Sequence, residues 1–146
     1  MARILLVEDD ATMAAILREL LESEQHAVSH ALDGVIALQY MGVTPSDEIQ
    51  SQIPGINWTN SDLTMFQPDL VLTDCMMPRM DGLTLVKAML QDDRVRKIPV
   101  IALTTKGKME EPFLQLSNVV NFVQKPPYPD ALLAMIKKAL PSAPAA

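Results

Sequence analysis

The segment Leu70-Val71-Leu72-Thr73-Asp74 largely decides the fold, because a short apolar run that ends in an acid is typical of a strand buried on both faces. Similar runs occur at Ile4–Val7, Ala27–Ala31, Pro99–Leu103 and Val119–Val123. Between them, apolar residues recur at every third or fourth position, as on one face of a helix. This alternation predicts an α/β fold of five strand–helix units, with a parallel sheet covered by helices on both faces.

The helical segments can be placed from the same spacing. They are predicted at Met13–Leu21, Val35–Met41, Leu83–Leu90, Met109–Leu116 and Asp130–Leu140. We therefore expect one domain over residues 1–140, and we interpret residues 141–146 as a tail or the start of a linker.

One long segment, from Gly42 to Gln67, interrupts this pattern between the second helix and the third strand. Ser46-Asp47-Glu48 ahead of Ile49 predicts a short capped helix within it. The insertion enters its strand at the amino edge of the sheet, opposite Asp74. We expect it to pack onto the domain through its large apolar residues, and the alternative is a docking surface for a dedicated partner. These residues are Trp58, Leu63, Met65 and Phe66.

Composition excludes several classes of protein. The chain has 146 residues, 49% of them hydrophobic, and a net charge of -6, which describes a folded acidic domain that does not itself bind nucleic acid. Its single cysteine, Cys75, excludes an internal disulfide and favours a reducing compartment, so we expect the cytoplasm. No apolar stretch approaches the ~18 residues of a membrane span.

Polar residues follow four of the five predicted strands. Glu8-Asp9-Asp10 follows the first, Asp74 the third, Thr104 the fourth and Lys125 the fifth. Ligands of parallel sheets bind beyond the carboxyl ends of the strands, so these side chains point to a site at one edge. If the first and third strands are neighbours, their acids would repel one another unless a hard cation lay between them, and this predicts a Mg²⁺ site. Taken singly, each residue also fits a helix cap or a solvated charge.

The same set of groups suits phosphoryl chemistry. A carboxylate can attack phosphorus to form an aspartyl phosphate, while a cation, a lysine and a hydroxyl stabilise the charge on the phosphoryl oxygens. Every one of these groups occurs at a predicted strand end.

Four motifs carry a family resemblance. The chain resembles a response-regulator receiver domain, the phosphoacceptor module of two-component signalling, over Arg3 to Leu140. The resemblance implies a doubly wound, flavodoxin-like sheet in the order 2-1-3-4-5 with five helices. The motifs are Ile-Leu-Leu-Val-Glu8-Asp9-Asp10, Leu-Val-Leu-Thr-Asp74-Cys-Met-Met-Pro78-Arg-Met-Asp81-Gly82, Ile-Ala-Leu-Thr104-Thr and Phe122-Val-Gln-Lys125-Pro126.

The resemblance also implies a role for each site residue. Asp74 is expected to be the phosphoacceptor. Glu8, Asp9 and the backbone carbonyl of Met76 are expected to bind Mg²⁺, or Mn²⁺ as a substitute, together with Asp74. The remaining assignments are Thr104 and Lys125 for the phosphoryl group, Phe122 as an aromatic switch, and a cis Lys125–Pro126 bond.

By resemblance, the protein is a switch and not an enzyme, although it phosphorylates and dephosphorylates itself in a Mg²⁺-dependent way. Its phosphoryl donor would be a phosphohistidine on a sensor histidine kinase or a histidine phosphotransfer protein. The surface made by the fourth helix, fifth strand and fifth helix would control an effector protein or a fused output domain, or form a phosphorylation-dependent homodimer.

Two alternatives remain open. One is a pseudo-receiver that works as a phosphorylation-independent interaction module. The other is an aspartyl-phosphate hydrolase, a class that commonly has a second acid where this chain has Met76.

Overall fold

A parallel five-stranded sheet forms the centre of the protein. The structure, a computed structural model, describes residues 2–58, 67–104 and 115–140. The sheet has the order β2-β1-β3-β4-β5, which confirms the predicted fold class and strand order. Its strands are β1 (Arg3–Val7), β2 (Ala27–Ala31), β3 (Leu70–Asp74), β4 (Val100–Thr104) and β5 (Val119–Gln124).

The described residues contain five helices. Four of them correspond to predicted helices, and the predicted helix Met109–Leu116 falls largely outside the described residues. The fifth is the short capped helix expected within the insertion, where the Ser46 side chain accepts a hydrogen bond from the backbone of Ile49. The helices are α1 (Ala11–Ser23), α2 (Gly34–Met41), α3 (Asp47–Gln52), α4 (Gly82–Leu90) and α5 (Pro129–Ala139).

Two apolar layers cover the two faces of the sheet. Side chains alternate along each strand, so Leu5 and Val7 of β1 join one layer while Ile4 and Leu6 join the other. The first layer includes α2 and α4, and the second includes α1 and α5. Because both faces are covered, the central strands β1, β3 and β4 are largely apolar, and the polar residues Thr73, Asp74 and Thr104 lie at their carboxyl ends.

Aspartates begin the helices that surround the carboxyl edge. Asp10 caps α1, Asp33 caps α2 and Asp81 caps α4, each by accepting hydrogen bonds from backbone N–H groups of the first helical turn. An acid at a helix N-terminus also interacts favourably with the helix dipole. Asp10 therefore has a structural role as the cap of α1.

The insertion packs onto the first apolar layer at the amino edge of the sheet. Ile49 of α3 is buried in that layer, and Trp58 packs against it, as we expected for Trp58. The other three apolar residues predicted to anchor the segment, Leu63, Met65 and Phe66, lie outside the described residues. Within the described part of the chain, no helix is long and apolar enough to cross a membrane.

Candidate metal centre

Three carboxylates meet at the carboxyl edge of the sheet. Val7 of β1 lies opposite Thr73 of β3, so the next residues along the two strands, Glu8 and Asp74, are neighbours. Carboxylate oxygens of Glu8, Asp9 and Asp74 all lie within 4.8 Å of one another. Glu8 and Asp74 are buried and Asp9 is exposed. The cluster therefore has one side open to solvent.

Lys125 reaches this cluster from the end of β5. Its Nζ lies 2.5 Å from Oε1 of Glu8 and 3.1 Å from Oδ2 of Asp74. Its own backbone N–H donates to the carbonyl of Thr104 at 2.7 Å, and the Lys125–Pro126 peptide bond is cis. The lysine thus bridges two acids that come from different strands.

Burial and mutual contact shift the pKa values of Glu8 and Lys125. Burial and, to a smaller extent, the neighbouring carboxylate of Asp74 together raise the pKa of Glu8 to about 7, against the opposing effect of Lys125. Burial lowers the pKa of Lys125, but the hydrogen bonds and charges of Glu8 and Asp74 outweigh that effect, and the net shift is upward. The ammonium group is thus held in its charged form between the acids.

The residues present fit a hard divalent cation. Oε2 of Glu8 is buried and makes no hydrogen bond, which is costly for a carboxylate oxygen and typical of a position that a cation completes. Mg²⁺ prefers carboxylate and carbonyl oxygens and retains several waters, for which the exposed side of Asp9 leaves space. Glu8, Asp9 and Asp74 would hold such an ion.

The remaining predicted residues lie on β4, on β5 and in the loop after β3, and they differ in burial. Thr104 is buried at the end of β4, directly after Leu103, which pairs with Asp74. Phe122 is partly buried in β5 and packs against the layer that contains α2 and α4. Met76, two residues after Asp74, is 63% exposed. Cys75, directly after Asp74, is buried.

Sequence reasoning missed an ion pair beside the site. The Nε of Arg79, in the loop after β3, lies 2.8 Å from Oδ2 of Asp33, in the junction between β2 and α2. The sequence marks Asp33-Gly34 as a turn or cap but contains no signal that its acid would pair with an arginine so distant in the chain.

Comparisons with known proteins identify the family of the chain. The family profile "Response regulator receiver domain" matches residues 56–137. The chain is 33% identical to the transcriptional regulatory protein CpxR of Escherichia coli over 141 residues, which cover 96% of this chain and 50% of CpxR. The chain spans about half the length of several curated relatives it matches.

Solved structures share the fold. One is the signal receiver domain of a signal transduction histidine kinase from Syntrophus aciditrophicus, at a TM-score of 0.72, 26% identity, and 100% and 99% coverage of the two chains. Another is the receiver domain of a sensor histidine kinase from Pseudomonas aeruginosa, described with a magnesium ion coordinated in its active site cleft, at a TM-score of 0.69, 23% identity, and 94% and 95% coverage. With the family profile matched over more than half of the chain, the protein belongs to the response-regulator receiver domain family.

Proposed function

We propose that this receiver domain accepts a phosphoryl group on Asp74 in a Mg²⁺-dependent reaction. The observation that supports this most directly is the buried oxygen of Glu8 that makes no hydrogen bond, beside the carboxylates of Asp9 and Asp74 and the ammonium of Lys125. This arrangement places several carboxylates beside the Lys125 ammonium. It suits a site completed by a divalent ion and a phosphoryl group.

In the proposed reaction, a carboxylate oxygen of Asp74 attacks phosphorus. The new bond joins that oxygen to phosphorus, and the bond between phosphorus and the donor's imidazole nitrogen breaks, with its electron pair leaving on the nitrogen. A bound Mg²⁺ supplies positive charge that offsets the charge of the phosphoryl oxygens. The carbonyl of Met76 completes the proposed ligand set, and Mn²⁺ is a suitable substitute for the ion.

Lys125 and Thr104 then hold the product. The Lys125 ammonium already lies 3.1 Å from Asp74 and is positioned to pair with a phosphoryl oxygen, while the Thr104 hydroxyl donates a hydrogen bond to another. Movement of Thr104 toward the phosphoryl group would allow Phe122 to turn inward. The surface around β5 and α5 would change as a result, which is the proposed output of the switch.

The proposed partners follow from this chemistry. The donor is a phosphohistidine on a sensor histidine kinase or a histidine phosphotransfer protein. The recipient of the signal is an effector protein, a fused output domain or a second copy of the chain. The domain contacts neither nucleic acid nor membrane directly in this proposal, and the cytoplasm is its proposed location.

Acetyl phosphate with Mg²⁺ provides a direct test, because it supplies the phosphoryl group without a partner protein. We expect intact-mass measurement to show one added phosphoryl group on the wild type and none on Asp74→Asn. Asp81→Asn is the matched control, since Asp81 caps α4 and asparagine caps equally well. Normal phosphorylation of Asp74→Asn would contradict the assignment, and no phosphorylation of any variant would favour the phosphorylation-independent interaction module.

A further inference from the structure

The loop that follows Asp74 is closed tightly at its base. The N–H of Gly82 donates to the carbonyl of Cys75 at 3.0 Å, so residues 76–81 form an excursion between two joined ends. A Cβ at Gly82 would lie 2.3 Å from the carbonyl oxygen of Asp74. Only glycine fits at position 82. The hydrogen bond between Gly82 and Cys75 fixes the two ends of the loop but not the conformation of its outer part.

The outer part of the loop contains a strained turn. Arg79 has a φ of 65°, and the N–H of Met80 donates to the carbonyl of Pro78 at 2.7 Å, which makes a three-residue γ-turn centred on the arginine. A positive φ is unfavourable for a residue with a long side chain, and this form of γ-turn is rare. Such a conformation persists only where the surroundings hold it.

The junction between β2 and α2 holds this turn in two ways. Arg79 contacts Asp33 through two hydrogen bonds, from Nε to Oδ2 at 2.8 Å and from Nη2 to Oδ1 at 3.3 Å. The buried side chain of Met80 packs against Gly34, where an added Cβ would lie 2.8 Å from Cγ of Met80. Asp33 is itself fixed, because it caps α2 by accepting from the N–H of Ile36.

We infer that Arg79 is a positioning residue for the metal centre, through its two-point ion pair with Asp33. This inference rests on the proposed function, in which the carbonyl of Met76 is a metal ligand. Met76 lies between the closed base and the γ-turn, so holding the turn limits the positions that this carbonyl can occupy. Backbone ligands have no side-chain rotamer to adjust, and their placement depends entirely on the loop that carries them.

Stability alone does not account for an arginine at this position. Glycine or asparagine would adopt the positive φ at lower cost, and the guanidinium group of Arg79 is 45% exposed. An asparagine at position 33 would cap α2 as well as the aspartate does. The ion pair therefore holds the turn in one conformation, although glycine or asparagine at position 79 would make the turn less strained. A fixed turn suits a site in which a loop carbonyl binds the metal.

Three variants test the inference: Arg79→Asn, Asp33→Asn, and the double variant, which leaves no buried unpaired charge. Arg96→Asn is the matched control, because Arg96 pairs with the exposed Asp93 at the amino edge. We expect all three test variants to weaken Mg²⁺ binding about tenfold in an NMR titration, the lower end of what losing an outer-shell partner costs a metal site. The double variant should resemble either single one, since both remove the same contact.

Two further measurements separate positioning from general stability. In the metal-free protein, hydrogen exchange of the Met80 amide should be faster in the three variants than in the wild type and the control. The initial rate of phosphorylation by acetyl phosphate should fall at low Mg²⁺ and return to the wild-type rate at saturating Mg²⁺. Arg79→Lys, which keeps the charge and loses the two-point contact, should fall between Arg79→Asn and the wild type.

The outcomes distinguish this inference from the proposed function. Wild-type Mg²⁺ affinity in Arg79→Asn and in the double variant, with only a lower melting temperature, would overturn the positioning role and leave the proposed function intact. A wild-type protein that binds no Mg²⁺ would overturn both. Weaker binding together with faster exchange at Met80 supports the inference.

Discussion

The carboxyl and amino edges of the sheet are stabilised by different kinds of interaction. At the carboxyl edge, buried carboxylates of Glu8 and Asp74 lie against one lysine, and one carboxylate oxygen makes no hydrogen bond. At the amino edge, the insertion contributes the apolar side chains of Ile49 and Trp58 to the core. One edge concentrates charge at a cost in desolvation, and the other adds apolar burial.

This difference indicates where substitutions should affect function and where they should affect stability alone. The two edges are separated by the length of a five-residue strand, roughly 17 Å. Charged groups at that distance are screened from one another by salt, and apolar contacts act only at short range. Substitutions at the amino edge should therefore leave Mg²⁺ affinity nearly unchanged. Substitutions at the carboxyl edge should leave the apolar contribution of the amino edge to stability nearly unchanged.

The largest expected effect is on stability, at the amino edge. Ile49→Ala removes a side chain that is 7% exposed and leaves a cavity beneath α3, so it should lower the free energy of unfolding by about 2 to 3 kcal/mol. Urea denaturation measures this. Ile16→Ala is the control, because Ile16 is 58% exposed, and it should change stability by less than about 0.5 kcal/mol. Altered Mg²⁺ affinity in folded Ile49→Ala would contradict the independence of the two edges.

The next effect is on metal affinity, at the carboxyl edge. Asp9→Asn removes one carboxylate of the cluster and should weaken Mg²⁺ binding about tenfold, without lowering the melting temperature of the metal-free protein. Asp10→Asn, next to it, makes the same change in charge but keeps the cap of α1, so its Mg²⁺ affinity should stay within about twofold of the wild type. An NMR titration with Mg²⁺ compares the two. Equal affinities would mean that Asp9 is no ligand.

The fold could be predicted because its pattern is local and repeated. Even the second strand, which lies at an edge of the sheet and is only partly buried, has its predicted bounds, Ala27–Ala31. The meeting of Glu8 with Asp74 followed from the strand order that the family resemblance implies, because neighbouring parallel strands end at the same edge. The prediction that Lys125 would lie at this edge with the acids depended on the same rule.

Other features could not be predicted, because they depend on the exact path of loops. The ion pair between Asp33 and Arg79 joins two connections whose spacing no periodicity encodes. The buried side chain of Asn118, whose amide makes no hydrogen bond, is equally invisible in sequence, where asparagine before a strand indicates a turn. The full burial of Glu8 is another feature that no local pattern indicates, since an acid after a strand is usually a cap or a solvated charge.

A smaller effect should separate two arginines at the amino edge. Arg94 donates to the carbonyl of Gly42 at 2.7 Å and to that of Met41 at 3.5 Å, which satisfies acceptors at the C-terminal end of α2. Arg94→Ala should lower the free energy of unfolding by about 1 kcal/mol, from the lost hydrogen bonds and dipole interaction. Arg96→Ala, which breaks only an exposed pair, should cost less than about 0.5 kcal/mol. If Arg96→Ala lowered the free energy of unfolding as much as Arg94→Ala, the hydrogen bonds from Arg94 to the end of α2 would not be what stabilises this edge.

The smallest effect is a pH dependence at the same edge. Nδ1 of His26 accepts a hydrogen bond from the N–H of Ala2 at 3.2 Å, and burial lowers the pKa of His26 from its ordinary 6.5 while Glu24 partly opposes the shift. The folded protein therefore binds the proton more weakly than the unfolded chain, which takes it up first as the pH falls through 6.5. Stability from His26 is fully present above that pH and declines below it. His26→Gln removes this contribution, so the difference in unfolding free energy between wild type and variant should shrink or reverse as the solution is acidified from about pH 8 to about pH 5.5. Urea denaturation across that range measures the difference, and a constant value would show that His26 does not titrate with folding.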